Sequence, residues 1–400
     1  MYVNTLPKRM AMILVMPALF ITSDALSKPE LIIDGESPLI ISLGAVTSDN
    51  LNPTFDSNDD AWGGRLKLSG QLTSLGEGTR FLMDYETTVT NWRADEDNQL
   101  YDGDNTMANV RVRGLGRFFL SDQWQVDIEA QHHRVDEPFG TGLSRLRKNI
   151  EFPDNRQINS AMITAAYGQD LVERYITLSA GVRDRTYDDI NGYGPRFDAL
   201  ETIFTGEVGF AVSPATQFLV NVGVTEYDFK QTLLEDSQVY RAVFGISWLP
   251  SAASTLRAVA GGFYRTFDVQ ESRSSFLWDV LYQWKPNNRF TLIFDSRRDA
   301  SASENELSSD SVLSDTGLYM AYRYSVRWST SLRLGHKKTE YDDTNGAQDL
   351  TEQHMSAKLI FSFSSFQSIN LEYQWKNMST KDDFIDYEQN QIGINWQYEF

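Results

Sequence analysis

The chain is dominated by one pattern, an alternation of apolar and polar residues that begins near residue 39 and continues to the last residue. Residues 61–72 read AWGGRLKLSGQL, residues 274–285 read SSFLWDVLYQWK, and residues 392–400 read IGINWQYEF. A helix would repeat its apolar positions every three or four residues, which none of these stretches does. A period of two places apolar side chains on one face of a β-strand and polar side chains on the other. The pattern therefore predicts a chain built from two-faced strands.

Counting these segments predicts about eighteen strands, the first near residues 39–46 and the last ending at Phe400. The connections between them alternate in length. Short connections are predicted near residues 74–78, 120–123, 167–170, 213–216, 250–254, 286–289, 325–328 and 364–367. Long connections are predicted near residues 48–60, 91–105, 136–156, 188–198, 230–237, 300–311, 342–349 and 378–386, with a brief link near 270–273 on the same side. An even number of strands with short turns at one end and long loops at the other is the pattern of outer-membrane barrels.

We therefore predict an all-β fold, a closed antiparallel transmembrane β-barrel of about 18 strands with short periplasmic turns and long external loops. The sheet must close because backbone groups in lipid need internal hydrogen-bond partners. Aromatic residues near strand ends fit the interfacial girdles of such barrels. The tryptophans predicted at or near strand ends are Trp62, Trp92, Trp124, Trp248, Trp284, Trp328, Trp375 and Trp396. The alternative is the buried aromatic core of a large sandwich or propeller.

The N-terminal region has the pattern of a secretory signal peptide. Lys8 and Arg9 precede an apolar stretch at residues 10–21 that is too short to span a bilayer, and small residues follow it. Cleavage is expected after Ala25 or Ser27. The predicted organisation is a signal peptide at residues 1–27 and an outer-membrane barrel at residues 28–400, integral to the outer membrane of a Gram-negative bacterium.

Composition excludes several classes of function. The formal net charge of -19 makes duplex nucleic acid an unfavourable partner. The absence of cysteine excludes disulfides, thiolate metal sites and a cysteine nucleophile. The sequence contains no GxSxG, HExxH or glycine-rich phosphate loop. We therefore predict no catalytic residues, no cofactor and no metal site.

Strand parity assigns the polar face of each strand to the lumen, and basic residues outnumber acidic ones on that face. The basic residues predicted to line the lumen are Arg65, Arg111, Arg113, Arg183, Arg241, Arg257, Arg265, Arg323 and Arg333. Acidic residues concentrate instead in predicted loops, as in residues 56–60, 94–105 and 381–386. A basic lumen wall would attract anions. The alternative is that these charges pair across strands and only fill a polar interior.

An eighteen-stranded barrel leaves a water-filled channel unless loops fold into it. The long predicted loop at residues 136–156, which carries Arg145, Arg147 and Lys148, is the candidate constriction. The alternative is an external loop that does not enter the lumen. Two aromatic residues predicted to face the lumen, Tyr227 and Phe263, could stack on sugar rings or serve as filler.

The C-terminal segment resembles the terminal strand of bacterial outer-membrane barrels, in which the assembly machinery reads an aromatic end. Trp396, Tyr398 and Phe400 are the residues that carry this resemblance, and they are the predicted C-terminal assembly signal. The resemblance implies that the barrel assembly machinery is a partner. Outer-membrane lipids and lipopolysaccharide are expected to surround the folded barrel.

The last third of the chain supports a narrower resemblance. Residues 290–294 read FTLIF and are followed by Asp295 and Arg297, a serine-rich stretch, and a GLY sequence at residues 317–319. Together with residues 354–384, this region resembles the outer-membrane β-barrel porins found in exopolysaccharide and capsule gene clusters. The resemblance implies an outer-membrane exit for a secreted polysaccharide, with that polymer and periplasmic export proteins as partners.

These observations predict an outer-membrane channel for export or passage of an anionic exopolysaccharide. One alternative is a general diffusion or nutrient-uptake porin with the same fold. Another is a structural or adhesive barrel with a plugged lumen, whose loops bind partners.

Overall fold

The computed structural model describes residues 39–50, 60–94, 106–137, 142–143, 153–168, 174–231, 235–305, 307–341, 349–380 and 386–400. The predicted signal peptide lies outside the described residues. So do the basic residues of the predicted constriction, Arg145, Arg147 and Lys148, and nearly all of the acidic stretches at 56–60, 94–105 and 381–386.

Strands account for almost all of the described chain. In order they are β1 (Leu39–Ser48), β2 (Ala61–Gly76), β3 (Thr79–Ala94), β4 (Thr106–Phe119), β5 (Trp124–Glu137), β6 (Asp154–Tyr167), β7 (Arg174–Tyr187), β8 (Ala199–Ser213), β9 (Thr216–Phe229), β10 (Ser237–Ser251), β11 (Ser254–Phe267), β12 (Arg273–Asn287), β13 (Phe290–Asn305), β14 (Ser308–Arg323), β15 (Trp328–Tyr341), β16 (Leu350–Ser362), β17 (Gln367–Thr380) and β18 (Tyr387–Glu399). A short 3-10 turn, Gly194–Phe197, precedes β8.

The strands form one closed antiparallel sheet. Each strand pairs with its neighbours in sequence, and β1 pairs with both β2 and β18. The closing seam runs from Ile40 opposite Glu399 to Ser48 opposite Gln391. The predicted fold class and strand number are confirmed, and the sandwich and propeller alternatives are excluded. Separately, the described residues include no helix with the length and hydropathy needed to span a membrane.

The short connections owe their tightness to side chains that bond the turn backbone. Ser121 Oγ accepts hydrogen bonds from the amides of Gln123 and Trp124, at 3.2 and 3.1 Å. Ser325 Oγ does the same for Arg327 and Trp328. Serine and asparagine favour turns because their side chains can replace missing backbone partners in this way. The turn between β2 and β3 uses Gly78 instead, at a φ of 74° that glycine adopts without strain.

The two faces of the wall differ as the alternation predicts. In β9, Leu219 and Asn221 are buried, whereas Phe218, Val220 and Val222 are about half exposed on the outer face. The exposed apolar face is the one that lipid covers in a membrane barrel.

Two expectations from the sequence are wrong. The segment predicted as a long loop at residues 300–311 is instead mostly strand, and only two residues separate β13 from β14. Trp92 does not belong to an outer girdle. It is 5% exposed and packs inside the barrel with Val46, Ala61 and Met107.

Candidate functional site: the lumen and its in-folded hairpin

The end of the β13–β14 hairpin leaves the barrel wall and lies in the lumen. We call residues 299–305 and 307–311 the tip. Pairing between β12 and β13 stops at Trp278 opposite Arg298, although β12 begins at Arg273. Tip residues Ser303, Asp310 and Ser311 are at most 1% exposed. These tip residues are therefore covered by the barrel, whereas Leu307 at the end of the hairpin is 50% exposed.

Glu304 connects the tip to the far wall. Its carboxylate lies 3.5 Å from Arg156 Nη1 and 3.8 Å from Arg185 Nη1, and it accepts a hydrogen bond of 3.4 Å from the Tyr187 hydroxyl. Arg156 also pairs with Glu137 of β5 at 3.0 Å. Because β6 and β13 are seven strands apart in an eighteen-stranded ring, these contacts cross the lumen.

Asp310 connects the tip to the near wall. It pairs with Arg265 of β11 at 3.1 Å and with Arg273 of β12. Arg265 also donates to the Ser301 carbonyl and to Ser237 Oγ, each at 3.0 Å. Its guanidinium lies 4.9 Å from the ring centre of Tyr227 and 5.2 Å from that of Phe267. Such stacking suits the planar, weakly hydrated guanidinium of arginine.

Asp299 forms the third connection, at the base of the tip. One oxygen of its carboxylate is 2.9 Å from Arg241 Nη1 of β10 and 2.9 Å from Arg297 Nη2 of β13. The tip therefore presents three carboxylates, Asp299, Glu304 and Asp310, and each is held by arginines.

Serine hydroxyls explain why a polar segment forms a strand inside the barrel. The hydroxyls of Ser301 and Ser311 are 2.8 Å apart across the hairpin. Ser308 Oγ donates to the Asp310 carbonyl at 2.8 Å, and Ser309 Oγ accepts from the Glu235 amide at 2.9 Å. Buried polar atoms need such partners, and here the hairpin and its surroundings provide them.

The segment between β7 and β8 packs behind the Glu304 contact. Phe197 is 1% exposed, and its ring meets that of Tyr187 at 6.5 Å. The Tyr193 hydroxyl donates to Asp154 at 2.9 Å. Burial raises the pKa of the Asp198 carboxyl, and the amide of Tyr187, which donates to it at 2.8 Å, opposes that rise. This packing holds Tyr187 against the tip.

The remaining predicted lumen arginines on the buried side are also paired. Arg183 bonds Glu201 at 2.8 Å, and both side chains are less than 10% exposed. Arg257 bonds Glu207 at 2.6 Å, and the same carboxylate accepts the Tyr175 hydroxyl at 2.5 Å. On the opposite side of the lumen, Arg113 makes two parallel 3.0 Å bonds to Glu129. For these residues the cross-strand pairing that we considered as an alternative is what the structure contains.

Three predicted lumen arginines differ from these paired ones. Within the part of the chain that the structure describes, Arg65, Arg323 and Arg333 have no carboxylate within 4.0 Å. Arg65 bonds Thr90 at 3.4 Å, and Arg323 and Arg333 are exposed. Arg111, the last of the predicted lumen arginines, stands opposite Glu86 of β3 in the register.

The exposure of paired charges differs around the lumen. Around β7 to β11, paired side chains such as Arg183 and Glu201 are 7% and 5% exposed. Around β2 and β3, the pair Lys67 and Glu86 is 39% and 51% exposed.

Two aromatic residues predicted for sugar stacking are not available for it. Tyr227 is 3% exposed beneath Arg265, and Phe263 is 4% exposed. At the C-terminus, by contrast, Trp396 and Phe400 are exposed on the outer face, and Tyr398 stacks between them with ring distances of 6.1 and 4.5 Å.

Sequence reasoning missed the tip carboxylates and Arg156. The signal was present, since Ala300 and Ala302 alternate with Ser301 and Ser303 and continue the strand period. Serine content made the segment look like a loop. Among the described residues, no group of three His, Asp or Glu side chains is arranged to hold a metal ion.

A family model described as "Putative beta-barrel porin 2" matches residues 40–400. No curated protein matches the chain.

Solved structures with a similar fold are outer-membrane proteins of low sequence identity. A BenF-like porin from Pseudomonas fluorescens Pf-5 is 13% identical with a TM-score of 0.48, over 91% of this chain and 99% of that chain. The siderophore receptor PirA from Acinetobacter baumannii is 9% identical with a TM-score of 0.46, over 91% and 81%. The FrpB iron transporter from Neisseria meningitidis is 7% identical with a TM-score of 0.44, over 91% and 83%. These similarities concern the fold alone.

Proposed function

This chain belongs to the "Putative beta-barrel porin 2" family, and from that premise we propose that its outer-membrane channel carries an anionic exopolysaccharide outward. The observation that supports an anionic solute is the set of exposed or carboxylate-free arginines in the lumen, Arg65, Arg323 and Arg333. Fixed positive charge on a lumen wall raises the local concentration of anions.

The arrangement of these arginines suits passage more than tight binding. Arg323 lies at the short-turn end of β14, Arg333 lies within β15, and Arg65 lies on β2. A polymer with repeated carboxylates could move from one to the next without being held by several at once. Conduction requires binding that is favourable enough to admit a solute and weak enough to release it.

The first test is ion selectivity of the purified barrel in planar bilayers. We expect the triple variant R65Q/R323Q/R333Q to lower the anion-to-cation permeability ratio by about two-fold or more, because it removes fixed positive charge from the lumen. The ratio is obtained from reversal potentials in a salt gradient. The control is R134Q, since Arg134 lies on the outer face of β5 and its loss should leave the ratio unchanged. A triple variant with wild-type reversal potentials would contradict the basic-lumen proposal.

The second test separates export from general diffusion. If the channel serves polysaccharide export, deletion of its gene lowers the amount of acidic polymer outside the cell and leaves uptake of small neutral nutrients intact. A general diffusion porin gives the opposite result. A structural or adhesive barrel gives no conductance in bilayers under any condition. The in-folded tip is the reason to test this alternative.

A further inference from the structure

Arg185, beside Glu304, and Arg265, beside Asp310, each keep hydrogen-bond donors that the tip does not occupy. Nε and Nη2 of Arg185 are buried and have no hydrogen-bond partner among the described residues, and its Nη1 is 3.8 Å from Glu304, beyond hydrogen-bond distance. Nη2 of Arg265 is also buried without a hydrogen-bond partner. Both side chains are at most 8% exposed. Buried guanidinium groups normally satisfy most of their donors, so this part of the lumen has donors to spare.

A solute carboxylate would meet these donors better than Glu304 does. A carboxylate bonded to both nitrogens on one edge of a guanidinium makes two parallel bonds, as Glu129 does with Arg113 at 3.0 Å. Glu304 reaches Arg156, Arg185 and Tyr187 through single contacts of 3.4 to 3.8 Å.

The tip can move without opening the wall. It is paired internally from Ala300 opposite Val312 to Asn305 opposite Ser308, and β14 remains paired with β15 from Ser311 onward. It has already separated from β12 above Arg298. Displacing residues 299–305 and 307–310 therefore breaks side-chain contacts and leaves the β14–β15 ladder from Ser311 onward in place.

We propose that Arg156, Arg185, Arg265 and Arg273 form a carboxylate-binding site in the lumen, which Glu304 and Asp310 of the tip occupy in the closed channel. Carboxylated sugar chains compete for these arginines, displace the tip and widen the passage. The inference rests on the proposed function only for the nature of the solute. The site and the movement of the tip can be tested without it.

The decisive experiment fixes the tip with a disulfide. The amide nitrogen of Glu235 lies 2.9 Å from Ser309 Oγ, so the two residues are neighbours, and E235C/S309C is the cysteine pair to introduce in a chain that has no cysteine of its own. Single-channel conductance is measured on the same protein, oxidised and reduced, with trigalacturonate as probe and neutral maltotriose as control. We expect trigalacturonate to raise the time-averaged conductance of the reduced channel at least two-fold. Maltotriose should do nothing, and the oxidised channel should respond to neither sugar.

Charge removal provides a second measurement that does not depend on the disulfide. E304Q/D310N should give the wide state without any sugar, at least two-fold above wild type. E86Q is the matched control, because it removes a lumen carboxylate that pairs with Lys67 away from the tip. If E304Q/D310N behaves like E86Q, and oxidation changes nothing, the tip is a fixed part of the wall and the inference is wrong.

The two proposals fail separately. If the disulfide has no effect while R65Q/R323Q/R333Q still lowers anion selectivity, the gate is rejected and the anion channel stands. If the disulfide abolishes a response to trigalacturonate while gene deletion leaves secreted polymer unchanged, the carboxylate site stands and the export function is rejected.

Discussion

Arg265 is fully buried, and its neighbours compensate for the burial of its charge. Its charge is matched by Asp310, which is 1% exposed, and its plane is covered by two aromatic rings. Burying a charge is unfavourable unless it is paired and hydrogen-bonded, and removing one member of a buried pair costs about 3–5 kcal/mol. Such an arrangement persists only where surrounding structure holds it, which here includes Ser237 and Ser301.

This predicts a non-additive pair of substitutions. Arg265→Met should lower the free energy of unfolding in detergent by about 3–5 kcal/mol, because it leaves Asp310 with less of its counter-charge in a buried site. The double variant R265M/D310L should recover much of that loss, because no unpaired carboxylate remains. Urea titration followed by tryptophan fluorescence measures both. A double variant as unstable as the sum of its single variants would show that the two residues do not act as a pair.

At the scale of one element, the end of the β13–β14 hairpin lies in the lumen and not in the barrel wall. Beyond Arg298, β13 loses its pairing with β12. Three carboxylates and a set of serines compensate for the lost ladder through side-chain contacts. The hairpin therefore places part of the wall sequence inside the lumen, where a long external loop was expected.

Shortening this hairpin should open the channel. Replacing residues 302–310 with Asn-Gly joins Ser301 to Ser311, which are opposite one another, through a two-residue turn of favoured type. We expect the conductance in bilayers to rise about two-fold or more, since an eighteen-stranded barrel without an inserted segment leaves a water-filled channel. Anion selectivity should rise as well, because Glu304 and Asp310 are lost while the wall arginines stay. If the shortened barrel still changes its gel mobility on heating, it is folded. A folded variant that conducts like the wild type would contradict the assignment of this hairpin as a segment that obstructs the lumen.

At the scale of the whole molecule, β18 makes the barrel continuous. It pairs with β17 on one side and β1 on the other, and the Phe400 amide donates to the Leu39 carbonyl at 2.9 Å. Closure satisfies the backbone groups that lipid cannot. The exposed rings of Trp396 and Phe400 point away from the lumen, where an assembly factor could reach them before insertion.

Removal of Phe400 should therefore reduce assembly more than stability. We expect the fraction of heat-modifiable barrel in the outer membrane to fall several-fold, because the aromatic end is the proposed assembly signal. E399Q is the control, since it alters the adjacent inward residue and keeps the aromatic series. Equal amounts of folded barrel from both variants would argue against a role for Phe400 in assembly.

The two-residue alternation of apolar and polar side chains alone determined most of this fold. It predicted the closed barrel, the number of strands, the short turns and the inward face of Arg183, Arg241, Arg257 and Arg265, because the face of each side chain follows from its position along its own strand. The tertiary structure alone decided which charges meet. The contacts of Glu304 with β6 and β7, and the exposure of Arg333 but not of Arg265, depend on the bending of one hairpin into the lumen. Bending of this kind depends on side chains far apart in sequence, and a local period carries no record of it.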